Sequence, residues 1–418
     1  MSHITIRNFG PIKDIALPIK KYNIFIGNSG TGKSTLAKVI CNAQWLEKEL
    51  IVSNEERPKE ISTATTYINQ LIEYHNLNGY LQPDTYIEYQ GAFLTFQFDN
   101  AKGETAFSYT LRRDLDSFCR LKTLYVPSER SMVAAIPNWF EIKLPNTNLR
   151  SFLSAWQNAR LTYSIGNPLP LLPFGAKYYS TKEDPSDFIE FADGKKLLLP
   201  YVASGLQASV PLTALTSYFS RPTLFQRHYS LLDQQNLSDV IQYVKSYEGN
   251  DELGKVESFE VKKDGSLEIE GKHIDDLKRR FENLTKVKGT SFFIEEPELN
   301  LFPKLQNELF KEIIKSINSI KNNALTITTH SPYILAFLSN YIYAYYLQHA
   351  KGIDVTDLIP TELMMDRDKV SAYLLENGTA TNILSSDPSL GIDIKELDSV
   401  SEEIGDVWDQ LVDRELER

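Results

Sequence analysis

Short apolar runs separated by turn residues occupy both ends of the chain. Residues 3–8 and 22–27 read as strands, with the turn-prone segment Gly10-Pro11-Ile12-Lys13-Asp14 after the first. From Ser34 to Ile51, "STLAKVICNAQWLEKELI" sets its apolar residues at helical spacing. Residues 85–111, "TYIEYQGAFLTFQFDNAKGETAFSYTL", alternate in twos and predict a meander of exposed strands around the Asn-Ala-Lys-Gly turn. A strand at 122–127 leads into "SERSM". Residues 131–180 are aromatic-rich, helical in part, and broken by prolines. "FIEFADGKKLLLP" (188–200) predicts a hairpin around Asp193-Gly194, and a helix follows over 206–219. Residues 222–289 are polar and read as an inserted subdomain. The last third alternates again: strand 291–295, helix 303–320, strand 324–329, helix 332–340.

Strand–helix alternation at both ends with a different texture between them predicts one discontinuous α/β core carrying extra lobes. The expected core comprises 1–56, 120–130, 200–221 and 290–385. A β-rich lobe spans 57–119, a helical and hairpin insertion 131–199, the inserted subdomain 222–289, and an acidic helical tail 386–418.

Composition narrows this only modestly. With 418 residues the chain can bury a large core, and 42% hydrophobic with 24% charged residues is ordinary for a water-soluble protein. No apolar run approaches the length of a membrane span, and the first residues read as a strand rather than a secretion signal. Two cysteines, Cys41 and Cys119, match no zinc spacing, so a cytoplasmic location is expected. The net charge of −11 argues against nonspecific nucleic-acid binding. Local basic clusters occur at Arg112, Arg113, Arg120 and Lys122, and at Lys278, Arg279, Arg280, Lys286 and Lys288. They are solvated faces unless the fold gathers them into a groove.

The first chemical signal is Gly27-Asn28-Ser29-Gly30-Thr31-Gly32-Lys33-Ser34, followed by Thr35. It fits G-x-x-x-x-G-K-[ST] at every fixed position, between an apolar strand and an amphipathic helix. Glycines there let backbone N–H groups converge on phosphate, and the helix start adds its positive dipole end. Lys33 would neutralise the terminal phosphates, and the Ser34 hydroxyl would ligate Mg²⁺. Three weaker signals follow. In "FFIEEPELNLFP" (292–303) a strand ends in Glu295 and Glu296, which repel each other unless a positive partner is near. In "PYVASGLQASVPL" Ser204 can N-cap a helix whose free N–H groups meet an anion, beside Gly205 and Gln207. In "ALTITTHSPYIL" a strand ends at His330, which can hydrogen-bond a γ-phosphate. Taken singly, the glutamates also fit a surface turn, Ser204 a plain helix cap, and His330 a structural residue. The other five histidines are scattered and propose no metal site.

In chain order (phosphate loop, Ser-Gly helix start, acidic strand end, histidine strand end) the four segments resemble an α/β P-loop NTPase, the ABC-type ATPase head of the branch that includes SMC, RecF and OLD-type proteins. "GNSGTGKST" resembles its Walker A motif, "ASGLQ" its signature, "FFIEEPELNLFP" its Walker B and D-loop, and "TTHSPYIL" its switch histidine. "ITIRNFGPIKD" is similar to its first strand, and "LYVPSER" stands at the Q-loop without a glutamine. Glu295 replaces the usual aspartate, and the signature begins with alanine and has Leu206 at its fourth position.

The resemblance implies a mixed sheet with an antiparallel β lobe and helical insertions. It implies ATP and Mg²⁺ as cofactors, with Ser34 and Glu295 at the metal. It implies Lys33, Glu296 and His330 in catalysis, and Ser204, Gly205 and Gln207 reaching the site of a second copy. Two copies would thus sandwich ATP. The long connection between Gln207 and Phe292, and the lack of any membrane segment, argue against the transporter branch. Residues 341–418 contain "GIDIKELD" (391–398) but no strand–acid framework for the nuclease domain that OLD-type proteins append. Stand-alone heads of this shape resemble ATPases of bacterial phage-defence systems such as PARIS, Septu and retron-associated modules. That implies a homodimer or larger homo-oligomer controlling a separate effector protein such as a nuclease. The alternative is a RecF-like DNA-repair or chromosome-maintenance ATPase that clamps nucleic acid.

Overall fold

The structure, a computed structural model, describes residues 2–52, 63–112, 114, 116–136, 143–181, 186–221, 286–387 and 391–392, with short pieces at 258–261, 267–270, 279–280 and 282–284. Most of the expected subdomain at 222–289, nearly all of the tail at 386–418, and the cluster members Arg113 and Lys278 lie outside the described residues.

A six-stranded sheet organises the molecule. Numbered in chain order, its strands are β3 (Tyr22–Ile26), β7 (Leu121–Val126), β14 (Gly289–Glu295), β15 (Ala324–Thr329), β16 (Val370–Glu376) and β17 (Thr379–Asn382), in the spatial order β17-β16-β3-β15-β14-β7. Five run parallel and only the edge strand β17 is antiparallel. Parallel sheets are covered on both faces, which is why β3 and β14 are buried at every position. Alternate residues feed two separate cores. Ile24, Ile26, Phe292 and Ile294 face one, while Phe25 and Phe293 face the other.

On the first face lie α5 (Ser204–Phe219), α6 (Pro303–Asn318) and α7 (Pro332–Ala350), with α4 (Asn148–Arg160) against α5. On the second face lie α1 (Lys33–Val52) and α2 (Ala64–His75). Helix α1 turns Leu36, Val39, Ile40, Ala43, Leu46 and Leu50 inward at three- and four-residue spacing. Helix α5 is buried almost all round despite an internal Pro211. One turn, α3 (Met132–Ala135), follows β7.

A second, antiparallel sheet has the order β2-β1-β4-β5-β6, from β1 (Ser2–Phe9), β2 (Ile12–Ile19), β4 (Leu81–Gln90), β5 (Leu94–Asp99) and β6 (Phe107–Leu111). This moves the expected boundary. The first two strands belong to the β-rich lobe, not to the parallel core, because β1 pairs with β4 from His3↔Gln90 to Phe9↔Leu81. The meander is also not exposed. Ile87, Tyr89, Phe96 and Phe98 are buried, with Tyr67 of α2 packed against Phe96 and Phe98.

A small sheet of β8 (Leu169–Leu171), β9 (Ala176–Ser180), β10 (Asp187–Phe191) and β11 (Lys196–Leu198) contains the expected hairpin. It turns at Gly194, whose φ of 83° suits glycine. β12 (Ser258–Val261) and β13 (Leu267–Glu270) pair with each other. Among the described residues no helix is long and apolar enough to cross a membrane.

Candidate functional site

The carboxyl ends of the parallel strands form one edge of the sheet, where ligands of open α/β folds bind. The loop leaving β3 there is shaped by its glycines. Gly27 has φ 148°, and a Cβ on it would lie 2.3 Å from the Leu375 carbonyl oxygen of β16. A Cβ on Gly32, at φ 100°, would lie 3.0 Å from the Ile12 side chain. The Thr31 hydroxyl closes the loop on the Asn28 carbonyl at 2.9 Å. Lys33 is 5% exposed, and its Nζ donates to the carbonyl oxygens of Gly27 and Asn28, both at 2.8 Å. Burial lowers its ammonium pKa, and the carboxylates of Glu296, Glu298 and Glu295 oppose that shift. Asn28, Ser29 and Gly30 face solvent, Ser34 is half-buried on the first helical turn, and Thr35 is buried.

The acidic strand ends at Glu295, the last residue of the expected 291–295 span. Glu295 closes β14, and Glu296 turns out of the ladder with φ 44°, a strained left-handed conformation for a glutamate. The two carboxylates therefore part. Glu295 is buried and accepts from the Tyr125 hydroxyl and from the Ser128 N–H at 3.2 Å. Glu296 turns instead toward His330, Oε1 to Nε2 at 3.5 Å, with both side chains about a third exposed. Glu298 secures the histidine strand, accepting from the Thr329 hydroxyl and the His330 N–H, each at 2.7 Å.

Sequence reasoning passed over Arg130, although it ties this edge together. Fully buried, its guanidinium donates to the carbonyls of Glu295 (2.7 Å), Glu296 (2.6 Å), Pro127 (3.3 Å) and, in α5, Ala208 (3.1 Å). Burial pushes it down to about 10, against the opposing charges of Glu298, Glu296, Glu295 and Glu129. Its one sequence signal is a charged residue beside the Met132–Ala135 apolar turn at the glutamine-less Q-loop.

Helix α5 begins differently from the expected cap. Ser204 is its first helical residue, the N-cap is Ala203, and no side chain caps it. Ser204 is exposed, whereas Gly205 is buried so tightly that a Cβ would sit 2.8 Å from the Asn300 carbonyl. Gln207 folds back, its amide donating to Pro200 and Val202 carbonyls at 3.0 Å. Tyr201 and Phe302, on either side of this contact, are each 74% exposed.

Members of the second basic cluster are held in ion pairs. Arg279 and Arg280 both pair with Asp116 at 2.9 Å, holding its carboxyl down at about 2, and Lys286 pairs with Glu282. Cys41 and Cys119 are both free.

The edge suits Mg²⁺. Such an ion needs only one or two carboxylates beside phosphate and water, so the absence of a three-ligand acidic cluster among the described residues is no obstacle. Glu295, Glu296 and Glu298 all lie near enough to act on the Lys33 charge, and the buried Oε2 of Glu298 has no hydrogen-bond donor. A cation near them would offset that negative charge.

A P-loop between β3 and α1, a parallel sheet with one antiparallel edge strand, and antiparallel lobes define the class: an α/β fold with a phosphate-binding loop. Residues 229–335, about a quarter of the chain, match the AAA ATPase domain family. They span Glu295, Glu296 and His330 but not the phosphate loop. Among solved structures, the SMC head domain from Thermotoga maritima is 12% identical, with 91% of this chain and 97% of that chain covered at a TM-score of 0.34. The recombination mediator protein RecF is 10% identical over 91% and 97% at 0.29. The cbiO1 protein from Clostridium perfringens, part of an ABC transporter complex, is 10% identical over 97% and 93% at 0.26. No curated protein matches the sequence.

Proposed function

We propose that this chain binds and hydrolyses ATP, and that two copies do so together, Ser204 and Gly205 of one completing the phosphate site of the other. The observation that carries the reading is the convergence of Lys33, Glu295, Glu296 and His330 on one sheet edge, with Glu296 held apart from Glu295 beside a histidine. Loop N–H groups and Lys33 hold the phosphates. Ser34 and Glu295 hold Mg²⁺, which when bound neutralises charge on the transferring phosphate. Glu296 accepts the proton of the attacking water, and His330 hydrogen-bonds the γ-phosphate.

What supports the dimer is the state of α5. Its start is exposed and uncapped, flanked by Tyr201 and Phe302, and Ser204 has no task within its own chain. Nucleotide joins the copies and hydrolysis releases them. We read the output as control of a separate effector protein, the logic of a bacterial anti-phage system. The net charge of −11 and the paired arginines favour a protein partner over a DNA clamp.

The test is the mass of purified Glu296→Gln in solution with ATP and Mg²⁺. Twice the monomer mass, with hydrolysis abolished, is expected. Persistent turnover, or a monomer at saturating ATP, sinks the reading.

A further inference from the structure

Well behind the phosphate loop, a cleft of about 1110 Å³ opens between the second half of α1, α2, the start of β7 and α4. At ~1.5 Å per residue along α1, Asn42 lies roughly 14 Å beyond Lys33, so the cleft is separate from the nucleotide loop. It is large enough for a small organic ligand.

Two of its lining side chains are buried without full partners. Asn42, 1% exposed, gives its amide N–H to Gln70, yet its Oδ1 accepts from nothing. His75, also 1% exposed, has neither ring nitrogen hydrogen-bonded. Buried polar atoms are nearly always satisfied, so two such residues lining one cleft call for an explanation. Packing does not supply it. His75 meets Tyr74 and Tyr125 edge-on at 4.9 and 5.5 Å, contacts that a phenylalanine would make as well. Burial, with Lys38 adding to it, pushes the imidazole down to about 3, so it is neutral and carries one donor and one acceptor.

The charged residues in the remaining lining are Lys48, Glu73 and Lys122. Lys48 pairs with Glu49 at 3.1 Å, and Lys122 lies over the Phe219 ring at 4.9 Å. Carboxamides and hydroxyls dominate what is left, Asn69, Gln70 and Asn158 among them. Three further aromatic residues, Trp45, Tyr74 and Tyr125, also line it, and the Tyr74 hydroxyl is anchored to Ser151 of α4 at 2.8 Å.

We propose that this cleft binds an uncharged planar small molecule with neighbouring hydrogen-bond donors and acceptors, the chemistry of a nucleobase, with Asn42 Oδ1 and one ring nitrogen of His75 reading its edge. Bases extracted from a helix are read this way, by edge hydrogen bonds between aromatic or apolar walls. A free nucleoside and an amide-bearing heterocycle share that edge.

The proposal is independent of the hydrolysis reading, and its test does not use turnover. The full chain is titrated with adenosine, guanosine, cytidine, uridine and nicotinamide, each followed by saturation-transfer NMR. ATP binding is measured in parallel. At least one of the five is expected to bind saturably, and which one distinguishes nucleoside from simple amide. His75→Phe and Asn42→Leu should each weaken that binding at least tenfold while leaving ATP binding unchanged. His75→Phe should melt no lower than the parent, since its ring nitrogens bond nothing in the protein. Failure of all five to bind overturns the proposal. So does undiminished binding to both variants, or preferential binding of a neutral asparagine–glycine peptide.

Discussion

Two helix starts, α1 and α5, carry the same potential for an anion, and the chain treats them in opposite ways. At α1 the first residue is Lys33, buried, its ammonium hydrogen-bonded twice within the loop and its serine neighbour half-buried. At α5 the first residue is Ser204, exposed and uncapped, with large aromatics standing in solvent nearby. One is assembled within the chain. The other has its precision on the inner side only, where Gly205 meets the Asn300 carbonyl and Arg130 holds Ala208. A helix start whose inner face is fixed and whose outer face is left open suits a surface made for another molecule.

The sharpest way to break the comparison is to disable each start in turn. Lys33→Ala should weaken ATP binding by about 10²–10³-fold, as expected when a charge-assisted phosphate contact in a sheltered site is lost. Filter binding measures it, and near-normal affinity would mean that the loop is not the nucleotide site. Ser204→Arg should leave ATP affinity within about twofold while hydrolysis falls by roughly 10²-fold, the size of a lost transition-state contact. Equal loss of binding would place Ser204 in its own chain's site and erase the contrast.

Arg130→Lys tests whether α5 and the acidic edge act as one unit. A lysine cannot bridge all four carbonyls, so kcat should drop by about tenfold with KM for ATP nearly unchanged. Unfolding should also cost about 1–3 kcal/mol less, read from urea titration. A stability loss with unaltered kcat would reduce Arg130 to scaffolding. The smallest effect is expected from Phe302→Ser, which removes an exposed ring. The ATP-dependent dimer of Glu296→Gln should weaken by about five- to tenfold, by sedimentation, with ATP affinity intact.

Much of the core was legible in advance because its signals are local. β3, β15 and the phosphate loop follow from period and motif alone, and their observed spans lie within a residue or two of the expected ones. The first strands misled because alternation says strand without saying which sheet. β1 is placed by Tyr86–Tyr89, far along the chain. The apolar face of the meander was in view as Ile87, Tyr89, Phe96 and Phe98, but its cover, Tyr67, sits on a helix of another segment. Arg130 was the least legible. It bonds backbone carbonyls, and carbonyls are the same whatever residues carry them, so no pattern of side chains announces it. Glu296 was legible as a residue and not as a conformation, since a left-handed φ leaves no trace in residue type.

The contact of Gly27 with Leu375 also has a meaning in time. The phosphate strand β3 is synthesised well before both of its sheet neighbours, β15 and β16. At about 5–20 residues per second, the loop waits tens of seconds on the ribosome before β16 can close against it. During that wait the apolar strand Tyr22–Ile26 has neither flanking partner, and β1 and β2 can already pair with β4. The antiparallel lobe thus has the means to fold first and to hold the early strands out of harm. ATP retention by nascent chains stalled before and after Leu375 would report whether the loop needs β16 in place to hold nucleotide.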